Sequence, residues 1–311
     1  MKKEQKINNR LVIILFITII VAALVTSWKV EDYGEKLINK KDTGIDSEKR
    51  ELYNMLMTSS KEYGFYFNED INIDNIADDK MLEYVIEQYV FDNNIEMSNE
   101  LTLCAEETYD SDYISDECLN NIKSSSFKKE DLDNYIKNKF NTERIFTPTS
   151  GENSNYAEGI VNGYSLGEYL YDFQNETYYV GYVAKSGSIL ELHTNLIKIE
   201  KDNDNIYFYD NMIYCDLTPE IGAWCFPYIN NEMDEDKAVL YAYPEDLEEG
   251  KTTPGLKYET LKNEDGEEYE DLVVDTDYIF KNMKEKLNTY KHTFKKSKDG
   301  KYYWYSSEIV K

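Results

Sequence analysis

The sequence predicts an α+β protein: a small helical region, then a mainly antiparallel β-sheet domain, all behind an apolar N-terminal segment. Three observations carry this. Leu11–Trp28, reading LVIILFITIIVAALVTSW, is eighteen residues long without a charge. Between 46 and 146, apolar residues recur at helical spacing. Beyond Pro148 and Gly151, tyrosine and β-branched residues gather in short runs separated by turn residues, and twenty of the 29 tyrosines lie past residue 150.

As a helix, the apolar run covers about 27 Å, close to the hydrocarbon thickness of a bilayer. In lipid the backbone must satisfy its own hydrogen bonds, which selects a helix. Trp28 suits the interface. The expectation is a retained single-pass transmembrane anchor. A cleaved signal peptide is the alternative, with Lys2, Lys3, Lys6 and Arg10 as its basic region and Val25-Thr26-Ser27 as a loose cleavage site. Counting Lys and Arg does not orient the span, because Lys29, Lys36, Lys40 and Lys41 follow it. The short basic tail, residues 1–10, is expected on the cytoplasmic side and the large body outside, joined by a polar linker over 29–45.

Within 46–146, Asp46 or Ser47 caps a helix carrying Leu52, Met55, Leu56 and Tyr63. Asp78 or Asp79 opens a second, with Leu82, Val85, Ile86, Tyr89 and Val90 on one side. A third is expected near Asn99–Thr108 and a fourth over Lys128–Phe140.

In the β-rich part, 150–311, strands are expected at 156–161, 167–173, 177–184, 189–199, 206–214, 237–243, 290–297 and 301–310, with a helix at about Asp277–Leu287. Their close spacing implies antiparallel meanders. Asp299-Gly300 suits a two-residue type I′ turn. Pairing Lys298 with Lys301 sets Lys291 opposite Glu308, Phe294 opposite Tyr305 and Lys295 opposite Trp304. Tyr290, His292, Phe294, Tyr305 and Ile309 then share the other face. Residues 215–254 hold four of the five prolines and read as an irregular insertion.

The chain carries 34 basic and 61 acidic residues; without the tail (four basic, one acidic) the body stands at 30 − 60 = −30. A nucleic-acid partner is excluded, since phosphate binding needs a basic face. Cys104, Cys118, Cys215 and Cys225 allow three disulfide pairings in an ectodomain. Proximity favours 104–118 with 215–225, and reduced, buried thiols are the alternative. Their spacing is not that of zinc ligands. Asp110, Asp112, Asp116 and Glu117 look like a calcium loop but lack its spacing, with Ile114 at the fifth position and no central glycine. No metal set or cofactor is expected.

Two candidate sites remain. Gly163-Tyr164-Ser165-Leu166-Gly167 matches the G-x-S-x-G nucleophile elbow, with Asp210 or Asp275 and His292 following in hydrolase order. The elbow requires a parallel strand leading into a helix, whereas Tyr-rich antiparallel runs surround this one. His193, on the polar side of its strand with Glu191 and Asn195, reads as solvated. The second candidate is Trp224, Phe226 and Tyr228 on the 215–229 loop, which either form an exposed binding surface or fold back to cap the sheet.

The stretch YKHTFKKSKDGKYYWYSSEIV, Tyr290–Val310, resembles the closing hairpin of uncharacterised membrane-anchored ectodomain proteins of low-GC Gram-positive bacteria. That resemblance implies no activity and transfers no functional residue. The layout, helices then a curved antiparallel sheet, also resembles cystatin-like and NTF2-like folds, an analogy that carries no function. The sequence thus predicts a membrane-anchored extracellular binding or scaffolding protein acting on a protein or envelope ligand. An extracellular serine hydrolase using Ser165 and His292, or a small-molecule pocket in the sheet, is the alternative.

Overall fold

The structure, a computed structural model, describes residues 46–58, 64–101, 104, 115–149, 156–161, 167–182, 190–218, 222–229, 234–244, 247, 253–262 and 268–311. The apolar run 11–28, the linker, most of the expected helix at 99–108 and Ser165 lie outside them. No helix among the described residues is long and apolar enough to cross a membrane. The chain divides at Arg50/Glu51 into two units, and everything below concerns the second, apart from the first turn of the first helix.

The fold is α+β with mainly antiparallel sheets. In chain order the elements are α1 (Ser47–Asn54), β1 (Ile71–Asn72), α2 (Asp78–Asp92), α3 (Asp116–Ile122), β2 (Ser126–Lys128), α4 (Lys129–Phe140), β3 (Tyr156–Val161), β4 (Gly167–Asp172) and β5 (Thr177–Tyr182). They continue as β6 (Leu190–Lys201), β7 (Asn205–Thr218), β8 (Gly222–Phe226), β9 (Leu240–Ala242), β10 (Leu256–Lys262), β11 (Glu268–Val274), α5 (Thr276–Asn282), β12 (Thr289–Lys296) and β13 (Tyr302–Ile309).

The main sheet runs β1-β13-β12-β7-β8-β9, with β6 on β7 as well. A strand has two edges, so β7 divides one of them: residues 205–211 pair with β12 and 214–218 with β8. β6 takes the other edge along nearly its whole length. Fourteen residues make β7 long enough to anchor two layers. Its inward residues Ile206, Phe208, Met212 and Tyr214 join the main core, with Leu82, Val85 and Ile86 of α2, Leu132 and Ile136 of α4, Phe65, and Trp304 of β13. Phe65 stacks on Trp304 at 3.9 Å between ring centroids. Among the described residues, the opposite side of β7 is buried toward its C-terminal end. There Ile213, Cys215 and Leu217 form a second core with Leu256, Val274, Ile279 and Leu287. The two covering layers are therefore offset along β7.

A four-stranded sheet, β2-β5-β4-β3, also has two occupied faces. Tyr169, Tyr171, Tyr178 and Val180 enter the main core. Leu170 and Tyr179 pack instead with Leu101, Cys104 and Ile122, beside the bond between Cys104 and Cys118.

Two expectations require correction, and one hairpin stands where no strand was expected. Besides the expected strand near 237–243, which is β9, the 215–254 segment contains β8, because Pro219 and Pro227 flank β8 rather than interrupt it. The β10–β11 hairpin has no apolar alternation to announce it: between Leu256 at its base and the tip, its first strand is almost wholly exposed. In the closing hairpin, Lys291 pairs with Glu308 as read, but a bulge between Thr293 and Phe294 shifts the remainder. Phe294 then faces Trp304, and Lys295 faces Tyr303. The bulge places Trp304, fully buried, on the core side in place of Tyr305. The turn closes with Gly300 N–H donating to Ser297 O, so a longer turn with Gly300 at φ 91° replaces the two-residue one.

Two glycines test this register. A Cβ on Gly222 (φ +105°) would lie 2.1 Å from Ala242 O, whereas one on Gly300 meets nothing nearer than 3.8 Å. Gly300→Ala is expected to cost about 1–2 kcal/mol, from backbone strain alone. Gly222→Ala is expected to cost clearly more, because β8 and β9 must also separate. Urea denaturation of the two variants measures the difference.

Candidate functional site

The chemically richest place in the described residues is a buried polar array on the inner face of the sheet. Asp210 sits mid-strand on β7, opposite Tyr290 of β12. His292 follows Tyr290 by two residues and therefore shares its face, and Ser307 of β13 is its direct cross-strand partner. Period-2 alternation aims all of these side chains into the core. Asp210 and His292 are fully buried, and Ser307 is 1% exposed.

Asp210 is held from both sides. Tyr53 of α1 and Tyr66, in the loop before β1, donate their hydroxyls to Oδ2 at 2.7 and 2.8 Å. His292 Nε2 lies 3.1 Å from Oδ1 and donates to the carboxylate. His292 Nδ1 lies 2.6 Å from Ser307 Oγ, and Trp304 Nε1–H donates to the same oxygen at 3.0 Å. A single proton inventory gives each of these hydrogens an acceptor: Trp304 to Ser307, Ser307 O–H to Nδ1, Nε2–H to Asp210, and both tyrosines to Asp210. Tyr66 meets His292 edge-on at 4.7 Å, and Tyr290 stacks along the imidazole at 5.8 Å. Tyr290 donates its own hydroxyl to Pro227 O at 2.9 Å.

Burial holds the Tyr53 and Tyr66 hydroxyls well above the ordinary tyrosine range, and the Asp210 charge adds to it. Both are therefore donors to the carboxylate throughout neutral pH. Tyr290 is pushed up as well, chiefly by burial.

Asp210, His292 and Ser307 are the residue types of a hydrolytic triad, but the roles are not those of one. Both ring nitrogens of His292 are engaged inside the protein, which leaves none to take a proton from Ser165. Ser307 is buried, accepts from Trp304 Nε1–H, and lies between β12 and β1 in the sheet. The strands that flank the G-x-S-x-G motif, β3 and β4, pair antiparallel up to Val161 and Gly167, a surrounding unlike that of a nucleophile elbow. What the array does chemically is fix a carboxylate inside an apolar core. The inner face, where a small-molecule pocket would open, is filled by Phe208, Tyr290, Phe294 and Trp304, each fully buried.

Trp224, Phe226 and Tyr228 are 5%, 2% and 9% exposed, so the 215–229 segment does not present them to solvent. Trp224 packs with Phe226 and Ala238 and stacks on Tyr241 of β9 at 5.5 Å, while Tyr228 joins the main core. The exposed rings nearby are Tyr241 and Tyr243, which sequence reasoning did not single out. Cys215 and Cys225 are bonded and lie directly opposite each other on β7 and β8. Their Cα separation of 4.1 Å fits the close, non-hydrogen-bonded type of antiparallel pair. His193 is about a third exposed, with Nε2 2.7 Å from Glu191. No group of metal-ligating side chains occurs among the described residues. Comparison with protein-family models, curated proteins and solved structures returns no match.

Asp210→Ala, which strands His292 and two tyrosine hydroxyls, is expected to cost about 3–5 kcal/mol in a urea titration. The tyrosines set an alkaline limit. Their folded pKa lies above the unfolded value of 10.0, so their contribution is complete below pH 10 and is lost as pH rises beyond it. Each adds about 1.4 kcal/mol per pH unit to that slope. Tyr53→Phe with Tyr66→Phe is expected to flatten the alkaline limb of a stability–pH curve, and an unchanged limb would show that other groups govern it.

Proposed function

We propose that this chain is a single-pass membrane-anchored protein whose acidic body binds or scaffolds a ligand outside the cell. One observation carries the reading: all four cysteines are joined in two bonds, Cys104 to Cys118 and Cys215 to Cys225, leaving none free. Such bonds persist in oxidising compartments and are rare in a reducing cytosol. The eighteen-residue apolar run at 11–28 supplies a means of staying at that surface. A body of −30 favours a protein or envelope ligand and repels nucleic acid.

A binding role is favoured over hydrolysis because His292, the base the alternative requires, is spent inside the core. Tyr241 and Tyr243, rather than Trp224, are the rings a ligand surface on β8–β9 would offer.

The test is made on intact cells producing the full chain. External protease should degrade the body while the protein fractionates with membranes. Alkylation of the denatured protein should add nothing until a reductant is supplied, and then four groups. A body shielded from external protease, or four thiols reactive without reduction, would overturn the reading.

A further inference from the structure

The charge of this chain is unevenly distributed. Residues 230–254 hold eight acidic residues against Lys237 and Lys251, a net of −6 in 25 residues, where the whole chain carries −27 in 311. This segment contains β9, which ends the main sheet and, among the described residues, pairs with β8 alone.

Two rings are presented there. Tyr241 and Tyr243 alternate with the buried Leu240 and Ala242, so they share one face of the chain. They are 41% and 39% exposed. Trp224 stacks on Tyr241 and meets Tyr243 edge-on at 5.8 Å, and the two tyrosines meet at 5.9 Å. Each exposed ring is thus backed by others, which leaves it little rotamer freedom to lose when a ligand arrives.

The charge beside the rings is not balanced. Lys237 is held by Asp234 at 3.2 Å. Tyr243 donates its hydroxyl to Glu235, which orients that carboxylate without neutralising it. Asp236 is exposed, and among the described residues no ion pair involves it or Glu235. The complement of this surface is a positive charge that rings attract. Lysine and arginine supply it, pairing with carboxylates and lying over the electron-rich face of tyrosine. An anionic partner is repelled, and a neutral one leaves the carboxylates unused.

We propose that the Tyr241–Tyr243 corner docks a lysine- or arginine-bearing segment of a partner protein. The inference rests on the binding reading above and names the class of its partner. Tyrosine is a residue type on which binding energy concentrates, so two held rings suffice for a recognisable contact.

The purified full chain, in a nonionic detergent, is titrated with a fluorescent peptide alternating lysine and glycine, read by anisotropy. The peptide should bind, its acetyl-lysine counterpart should not, and molar salt should release it. Y241A with Y243A should weaken binding at least about fivefold. E235Q with D236N keeps both rings and an acceptor for Tyr243, and should weaken it about two- to fivefold. Those carboxylate variants should leave the urea midpoint unchanged, which keeps the test open where the tyrosine variant unfolds. E96Q with E100Q removes the same charge from exposed positions before β5 and should change nothing. Equal loss in that control would overturn the proposal, because net charge alone would then explain the affinity. Native affinity in the E235Q–D236N chain would overturn it too. So would self-association abolished by Y241A with Y243A, or a neutral oligosaccharide bound in the peptide's stead. The titration does not depend on where the body sits. A body shielded in the protease assay would therefore defeat the function above without deciding this contact.

Discussion

The structure depends on one carboxylate. Asp210 occupies the middle of the longest described strand, fully buried, and a carboxylate in that position is tolerable only when surrounded by donors. Those donors come from four places in the chain: α1, the loop carrying Tyr66, β12, and through His292 the serine and tryptophan of β13. The array therefore constrains which helix lies over which strand. Apolar packing alone would tolerate small rotations of α1 that a fixed hydroxyl–carboxylate bond does not. Its energetic worth relative to an apolar core is modest, as is usual for buried ionic groups, but loss of one partner is severe.

The same strand explains the layering. The main core covers its inner face from Ile206 to Tyr214, whereas on the other face Ile213, Cys215 and Leu217 are buried under the β10–β11 hairpin and α5. The disulfide between Cys215 and Cys225 lies in the second core, where β7 changes partner from β12 to β8. A cross-link here holds β8, which has only five residues of its own, onto the strand that organises the sheet. Among the described residues, no buried cluster includes Tyr207 and Tyr209 on the outer face of β7.

Much of the fold was legible because period is a local property. The helices α2 and α4 and the strands from β3 to β7 and β12 to β13 follow from apolar spacing within single segments. The elements that escaped had weak local signals. α3 is a short polar helix, β8 lies between prolines, and β10 and β11 are charged at three of seven residues each. Residues 291 and 308 pair as expected because alternation specifies which side chains face the core. The tip does not, because accommodating the buried Trp304 requires one extra residue, and a bulge leaves no mark in composition.

By itself the sequence determined the α+β class, the antiparallel texture, the acidic character and the apolar run at 11–28, since each depends on composition or short-range spacing. It also pointed to Asp210 and His292, though for a hydrolase with Ser165. Only the tertiary structure decided their role, because Tyr53, Tyr66 and Ser307 come from 97 to 157 residues away from Asp210 and no spacing rule connects them. It likewise decided that Trp224, Phe226 and Tyr228 are buried and that Tyr241 and Tyr243 are exposed. Such properties belong to strand order and layer coverage, which are set by contacts between distant segments rather than by any one of them.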